Sequence, residues 1–416
     1  MSWRETTLGE ITDLKRGFDL PKSQRLQGDV PVYSSSGITG SNSTAAAEGP
    51  CVITGRYGTI GEVFFSGGPC WPLNTALYST EFNGNNPRFV YYLLQTIPWQ
   101  GYTTASAVPG VNRNHVNLCP VKIPDRATQD AIVEVLDSIV DKIALNNRLN
   151  DYLFELVSSV FAHRFSDNVN TTELKNVLSI STKALKPQEH ADEIWEHYSI
   201  PAFDEKHRPI FEPASGIKSN KYQIDSECIL ISKLNPSTKR IWMPCCSSNN
   251  AVCSTEFIVY RPYLKEYKSF YYAAIDSPRF TDYLLEHVSG STGSRQRAQP
   301  KDTLNYLMPN PDNEEIKDFC TFADPIYRHI QINEQQTAKL ELLRETLLPK
   351  LMSGAIDVSK VDLTQLTNNH LSGCGSFCSV CCPSGLAFEF HEWFREHFFF
   401  GYGHLCKADL GWEDLP

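Results

Sequence analysis

Apolar residues recur at alternating steps of three and four along 124–160, at Ile132, Leu136, Ile139, Ile143, Leu153, Val157 and Val160. This is the seam of a coiled coil and predicts a long helix. Residues 311–347 repeat the segment without a gap at an offset of 187: Asp125 matches Asp312, Asp137 matches Asp324, Ile139 matches Ile326, Ile143 matches Ile330, Asn146 matches Asn333, Leu153 matches Leu340 and Leu156 matches Leu343. Each copy opens with Pro-Asp, a turn suited to starting a helix. Two seam positions of the first copy are polar, Asn146 and Asn150, and their counterparts are Asn333 and Thr337. Buried polar seam residues cost stability but fix register and orientation. A polar layer at the same height in both copies predicts that the two helices pair with each other as a rod, rather than packing separately on their own domains.

Ahead of each helix the pattern changes to short β-rich runs among Gly, Ser and Asn. In the first unit PVYSSSG, CVITGRYG, GEVFFSG and TALYSTEF predict strands with turns at Gly37, Gly58 and Gly67-Gly68. NPRFVYYLLQTI predicts a helix capped by Asn86 with Pro87 in its first turn. In the second unit YQIDSECILISKL, RIWMPCC and STEFIVY predict strands, followed by helices over 267–275 and 278–287. Tyr91-Tyr92 aligns with Tyr271-Tyr272 at an offset of 180, while PRFVYYLL aligns with PRFTDYLL from Pro278 at an offset of 191; the sequence leaves both open. The expected fold class is α+β with a pseudo-two-fold internal repeat: a first globular domain over 1–123, a central helix over 124–168, a second globular domain over 169–310, a C-terminal helix over 311–353, and an irregular Cys- and aromatic-rich tail over 354–416. The order of elements repeats while the loops differ, as in a duplicated scaffold that reads two targets.

At 416 residues, with 41% hydrophobic and 21% charged, the chain can build more than one core. The polar start MSWRETTLGE and the lack of any run of roughly 18 apolar residues make the cytoplasm the expected location. Thirteen unevenly spaced cysteines are read as free thiols. The net charge of −10 argues against a general basic surface for nucleic acid, because phosphate neutralisation needs clustered cations. Contact with DNA must then be local. One such locality joins Lys218, Lys221, Lys233, Lys239 and Arg240; another joins Arg295, Arg297 and Lys301.

No catalytic constellation stands out: a Walker loop, a nucleophile elbow, H-E-x-x-H and the glycine-rich plus N-P-P-Y-type pair of an adenine methyltransferase are all missing from the sequence. TGRYGTIGEV, Thr54 to Val63, resembles a phosphate cradle, but a β-rich run follows it where a helix N-terminus is needed, so a hairpin loop is expected. Arg56 and Tyr57 at its tip, with Thr59, suit DNA, since Arg can donate two hydrogen bonds to guanine. VNRNHV, with Asn112, Arg113 and His115, precedes the first long helix, and SRQRAQ, with Arg295 and Arg297, takes the same place in the second unit. Arg16 and Ser35 complete the candidate DNA-facing set. The tail places Cys374, Cys378 and Cys381 in C-x3-C-x2-C with His391, His397, His404 and Cys406 following. That spacing suits zinc or an iron-sulfur cluster, but no other feature accompanies it, and the tail is read as an accessory extension without metal.

The opening WRETTLGEI, the TGRYGTIGEV hairpin, VNRNHV running into VKIPDRATQDAIVEVLDSIVDKIALNN, and the closing QQTAKLELLRETLLPKLMSGAID together resemble the specificity subunits of type I restriction-modification enzymes. The resemblance implies two target-recognition domains separated by two long antiparallel coiled-coil helices, each domain reading one half of a bipartite, asymmetric double-stranded DNA site. It also implies a non-catalytic chain that binds no cofactor. Two modification subunits would methylate adenine at N6 with S-adenosylmethionine, and ATP- and Mg-dependent restriction subunits would translocate and cut. Leu340, Leu343 and Leu347, on the exposed face of the second helix, are the expected partner-binding residues. A fused restriction or methylation enzyme and a coiled-coil scaffold that does not bind DNA are the alternatives.

Overall fold

Two helices of 40 residues, α4 (Arg126–Phe165) and α9 (Asn313–Met352), run the length of the seam-patterned segments. The structure is a computed structural model and describes residues 3–103, 110–190, 192–289 and 296–361. The cysteine and histidine motif of the tail lies outside the described residues. The described residues up to Ile356 form one compact unit, which holds both long helices.

Both helices start where the Pro-Asp turns lie. The Asp125 carboxylate accepts from the Thr128 N–H at 3.0 Å, and Asp312 forms a capping box with Glu315, satisfying first-turn N–H groups that no intrahelical carbonyl can reach. Asn146, Asn150, Asn333 and Thr337 are all buried. Asn146 Nδ2 donates to Gln336 Oε1 at 2.8 Å and to Thr337 Oγ1 at 3.4 Å, and Asn333 Nδ2 donates to Asn150 Oδ1 at 2.8 Å. Residue numbers rise on one helix as they fall on the other, so the pair is antiparallel. By that register Leu340, Leu343 and Leu347 lie level with Ile143, Val140 and Leu136. They are half-buried rather than a fully exposed outer face, because the antiparallel mate covers part of each.

The largest core sits where the second half of α4 meets the first half of α9. Phe161, Phe165, Phe270 and Phe319 pack there with ring centroids 5.2 to 5.9 Å apart, many edge to face, the arrangement the aromatic quadrupole favours. Phe270 belongs to α6 (Lys268–Asp276), which lies against both long helices. At the other end α2 (Pro87–Gln95) does the same. Arg88 and Tyr92 of α2 bond to Asp137, and Ser269 of α6 bonds to Asp324, the residue that repeats Asp137. This packing selects the match of Tyr91-Tyr92 to Tyr271-Tyr272. The PRFTDYLL helix, α7 (Pro278–Glu286), packs on α6 instead.

The two globular portions share one strand topology. In the first, β1 (Trp3–Thr7) pairs with β9 (Pro120–Pro124). A four-stranded sheet runs β2 (Lys15–Arg16), β8 (Ala76–Ser79), β5 (Cys51–Gly55), β6 (Val63–Ser66), and a three-stranded sheet runs β4 (Gly37–Asn42), β3 (Val30–Ser34), β7 (Trp71–Pro72). In the second, β10 (Thr171–Glu173) pairs with β22 (Leu307–Pro309). The four-stranded order returns as β11 (Leu178–Ser181), β19 (Phe257–Pro262), β16 (Ile229–Ser232), β17 (Ile241–Trp242). The three-stranded order returns as β14 (Ile210–Pro213), β13 (Ile194–Tyr198), β18 (Ala251–Ser254), extended by β15 (Lys221–Gln223) and β12 (Ala184–Leu185). The parallel step of β13 on β18 matches that of β3 on β7. A short helix, α1 (Leu8–Ile11), follows β1, and a 3-10 turn, Leu174–Asn176, follows β10. Leu8 N donates to Cys119 O and Leu174 N to Tyr306 O, each at 2.9 Å.

The repeats differ between their third and fourth equivalent strands. Where the first has only Ser35 and Ser36 between β3 and β4, the second inserts α5 (Ile200–Lys206) between β13 and β14, none of which the sequence pattern predicts. His207, left-handed at φ +52°, ends α5 and stacks on Phe154 of α4. Arg208 and Lys206 both pair with Glu341 of α9, the lysine at 3.2 Å. The insertion braces the rod. Among the described residues all eight cysteines are free, no helix is long and apolar enough to cross a membrane, and no group of His, Cys, Asp or Glu is arranged to hold a metal ion.

Candidate nucleic-acid interface

After β5 the chain turns through 56–62 and returns as β6, the hairpin expected from TGRYGTIGEV. Thr54 Oγ1 donates to Glu62 O at 2.8 Å across its base. Gly55 is required there, since a Cβ would lie 1.7 Å from the Thr59 carbonyl oxygen. Arg56 N and Tyr57 N donate to Thr75 O at 2.9 and 3.2 Å, and Val111 N donates to Arg56 O at 2.9 Å. The loop is therefore held from both sides by backbone bonds while its side chains remain outward.

These bonds, together with the pairing of β2 on β8, bring Arg16, Arg56, Tyr57, Asn112, Arg113 and Asn114 around an open cleft of about 450 Å3. The Arg56 guanidinium lies 4.6 Å from the Tyr57 ring centroid, a cation–π distance. A Cβ on Gly110 would meet Tyr57 Cε1 at 2.3 Å, so the ring rests directly on the glycine backbone. Asn112 caps α3 (Arg113–Val116) by accepting from Asn114 N at 3.0 Å. Among the described residues Arg16, Arg56 and Arg113 pair with no carboxylate, whereas Arg88, Arg240 and Arg297 do. Ser35 sits beside the same loop, 3.4 Å from where a Gly58 Cβ would be. Thr59 is exposed on the loop, and His115 is exposed on α3 outside the cleft wall.

The second repeat reproduces the scaffold with other side chains. Ala298 N donates to Lys233 O at 2.9 Å, as Val111 does to Arg56, and Leu234 bridges Arg297 as Tyr57 bridges Gly110. Lys233 thus occupies the Arg56 position and Arg297 that of Gly110. Arg297 lies in the ribbon of β20 (Val288–Ser289) and β21 (Arg297–Ala298), ahead of α8 (Pro300–Thr303), the counterpart of α3. Its Nε donates to Glu256 Oε2 at 3.1 Å.

Two of the expected cations are already engaged by carboxylates. Arg240 makes a two-toothed pair with Asp204 of α5 at 2.6 and 2.8 Å, and Lys239 pairs with Asp276 of α6 at 2.7 Å. Both tie the β16–β17 loop to helices; the Arg240 side chain is turned inward, while Lys239 stays exposed beside its carboxylate. Lys218 is exposed on the separate connection between β14 and β15, and Arg295 lies outside the described residues. Gly110 and Glu256 carry no signal in a sequence scan for cations, and only the paired connections reveal them.

Residues 1–153, which contain every wall of the first cleft, match the family model described as the type I restriction modification DNA specificity domain. No curated protein matches the chain. Among solved structures, the S subunit of a type I restriction-modification system from M. genitalium is similar at TM-score 0.57, 14% identity, 84% of this chain and 96% of that one. At this identity the likeness is one of fold. The HsdS subunit from Thermoanaerobacter tengcongensis is similar at TM-score 0.30, 15% identity, 85% of this chain and 97% of that one.

Proposed function

We propose that this chain, whose residues 1–153 match the family model of the type I restriction modification DNA specificity domain, reads both halves of a bipartite, asymmetric DNA site for such a system. Its role is DNA sequence specificity. The observation that carries the reading is the cleft inside the matched region, where Arg16, Arg56 and Arg113 converge and, among the described residues, pair with no carboxylate. Guanidinium groups held on a backbone-braced loop suit phosphate and the O6 and N7 acceptors of guanine, and Asn or Gln suits adenine. The acidic chain confines its grip to such places.

In this reading 1–123 and 169–310 are the target-recognition domains and 124–168 and 311–353 the spacer helices, with 354–416 an added tail. Arg16, Ser35, Arg56, Tyr57, Thr59, Asn112, Arg113 and His115 serve the first half-site. Lys233, Arg297, Lys218 and Arg295 serve the second, while Lys239 and Arg240 hold the loop. The chain does no chemistry and binds no cofactor. Two modification subunits supply adenine N6 methylation with S-adenosylmethionine, restriction subunits supply ATP- and Mg-dependent cleavage, and all work in the cytoplasm. Leu340, Leu343 and Leu347 offer their uncovered edges to a modification subunit.

The test is to map N6-methyladenine across the genome of cells with and without the gene. A two-part motif with a constant spacer, present only with the gene and lost with Arg56→Ala plus Arg113→Ala, supports the reading. An unchanged methylation map between the two strains refutes it.

A further inference from the structure

The two repeats are built from the same pair of chain crossings but present opposite chemistry at the facing position. In the first, the residue after the β5 strand is Arg56, its neighbour Tyr57 forms a platform under the guanidinium, and the facing residue is Gly110, on whose bare backbone the ring lies. In the second, the corresponding residues are Lys233, Leu234 and Arg297, with no aromatic platform, and Glu256 holds the facing guanidinium at 3.1 Å. Glu256 is itself tied to the loop, because Lys233 N donates to Glu256 O at 2.9 Å.

We infer that Gly110 and Glu256 are the positioning residues for base choice in the two half-sites, Gly110 by seating the Tyr57 platform that aims Arg56, and Glu256 by fixing Arg297 beside Lys233. This rests on the DNA-reading role proposed above. An arginine aimed flat from an aromatic ring can reach a base edge through two parallel donors, which a lysine cannot do. The first cleft is thereby tuned to a guanine edge. In the second, a lysine point charge stands beside an arginine whose Nε already bonds Glu256, leaving only its terminal nitrogens to reach outward. The two halves are therefore set independently, each by one residue that need not touch DNA.

The experiment expresses the full chain with the modification subunits of its own system in a host lacking adenine methylation, and reads the methylated motif by sequencing the host genome. The unaltered chain should give a two-part motif. Gly110→Ala and Arg56→Lys should relax the same base pair or pairs in one half by roughly tenfold, with the other half and the spacer unchanged. Glu256→Gln should relax the opposite half only. A purely structural role would lower methylation at every site without changing which base pairs are accepted. That result, or relaxation of both halves by one variant, overturns the inference. Should Gly110→Ala fail to accumulate, Arg56→Lys and Glu256→Gln decide it by the same readout. If the unaltered chain gives no two-part motif, the DNA-reading role itself fails and the inference falls with it.

Discussion

Glu334 follows Asn333 in the middle of α9 and faces Phe154, His207, Trp242, Tyr272 and Tyr327 around a cavity of about 20 Å3. Burial pushes its carboxyl up to about 7, with the Arg208 guanidinium pulling the other way. Between about 4.5, the ordinary value, and about 7 the folded chain keeps a proton that the unfolded chain has released, so this residue's contribution to stability is lost as pH rises through that window. Glu334→Gln should match the unaltered protein at pH 4.5 and exceed it at pH 8 by about 2 kcal/mol, a figure reduced for the water its partly exposed edge still meets. Urea unfolding at the two pH values checks this, and equal differences at both would refute it. Arg240 makes the opposite kind of prediction. Because Asp204 already occupies its guanidinium, Arg240→Ala should cost about 1 kcal/mol of stability and leave the methylated motif unchanged, whereas Arg56→Ala should alter it.

Within the helices, the polar layer joins two elements that are otherwise held by apolar burial. Asn150 Oδ1 is the acceptor for Asn333 Nδ2, and both residues are buried. Asn150→Ala should therefore cost about 1 to 3 kcal/mol, chiefly the penalty of leaving the Asn333 amide without its acceptor. Replacing Asn333 by Ala as well should recover part of that loss, and a double-mutant cycle on thermal unfolding would show it. Simple additivity of the two losses would mean that the bond carries no coupling. At the helix ends, Asp137 and Asp324 anchor α2 and α6 by different partners, a guanidinium and phenol in one repeat and a hydroxyl in the other. The element is kept between repeats while its chemistry is not, which is why sequence alone leaves the two tyrosine-containing helices unmatched.

For the molecule as a whole, the proposed function makes the rod the ruler between the two recognition domains. With Asn150 level with Asn333, the equivalent starts of α4 and α9 lie on the order of 65 Å apart along the rod at ~1.5 Å rise per residue. That is close to two turns of B-DNA at ~34 Å each, so two domains on one side of a duplex can address separate half-sites. Adding seven residues to both helices at the same level preserves the seam and lengthens the rod by about 10 Å, or about three base pairs. The methylated motif should then keep both halves and gain a spacer of that size. An unchanged spacer would remove the rod from the role of ruler.

Periodicity in the sequence was enough to determine the two paired helices, their Pro-Asp starts, the polar layer and the hairpin carrying Arg56, because each depends on residues three, four or a few positions apart. It also determined that a duplicated scaffold carries unlike loops. The tertiary structure alone decided that α6 rather than α7 repeats α2, that α5 is inserted and braces the rod through His207 and Arg208, and that Lys239 and Arg240 are paired with carboxylates of α6 and α5. It alone seated Tyr57 on Gly110. The partner of a charged or aromatic side chain lies tens of residues away in the chain, and no local pattern of hydrophobic and polar positions contains that distance; the fold creates it when the crossings between β5, β6 and the segment before α4 come together.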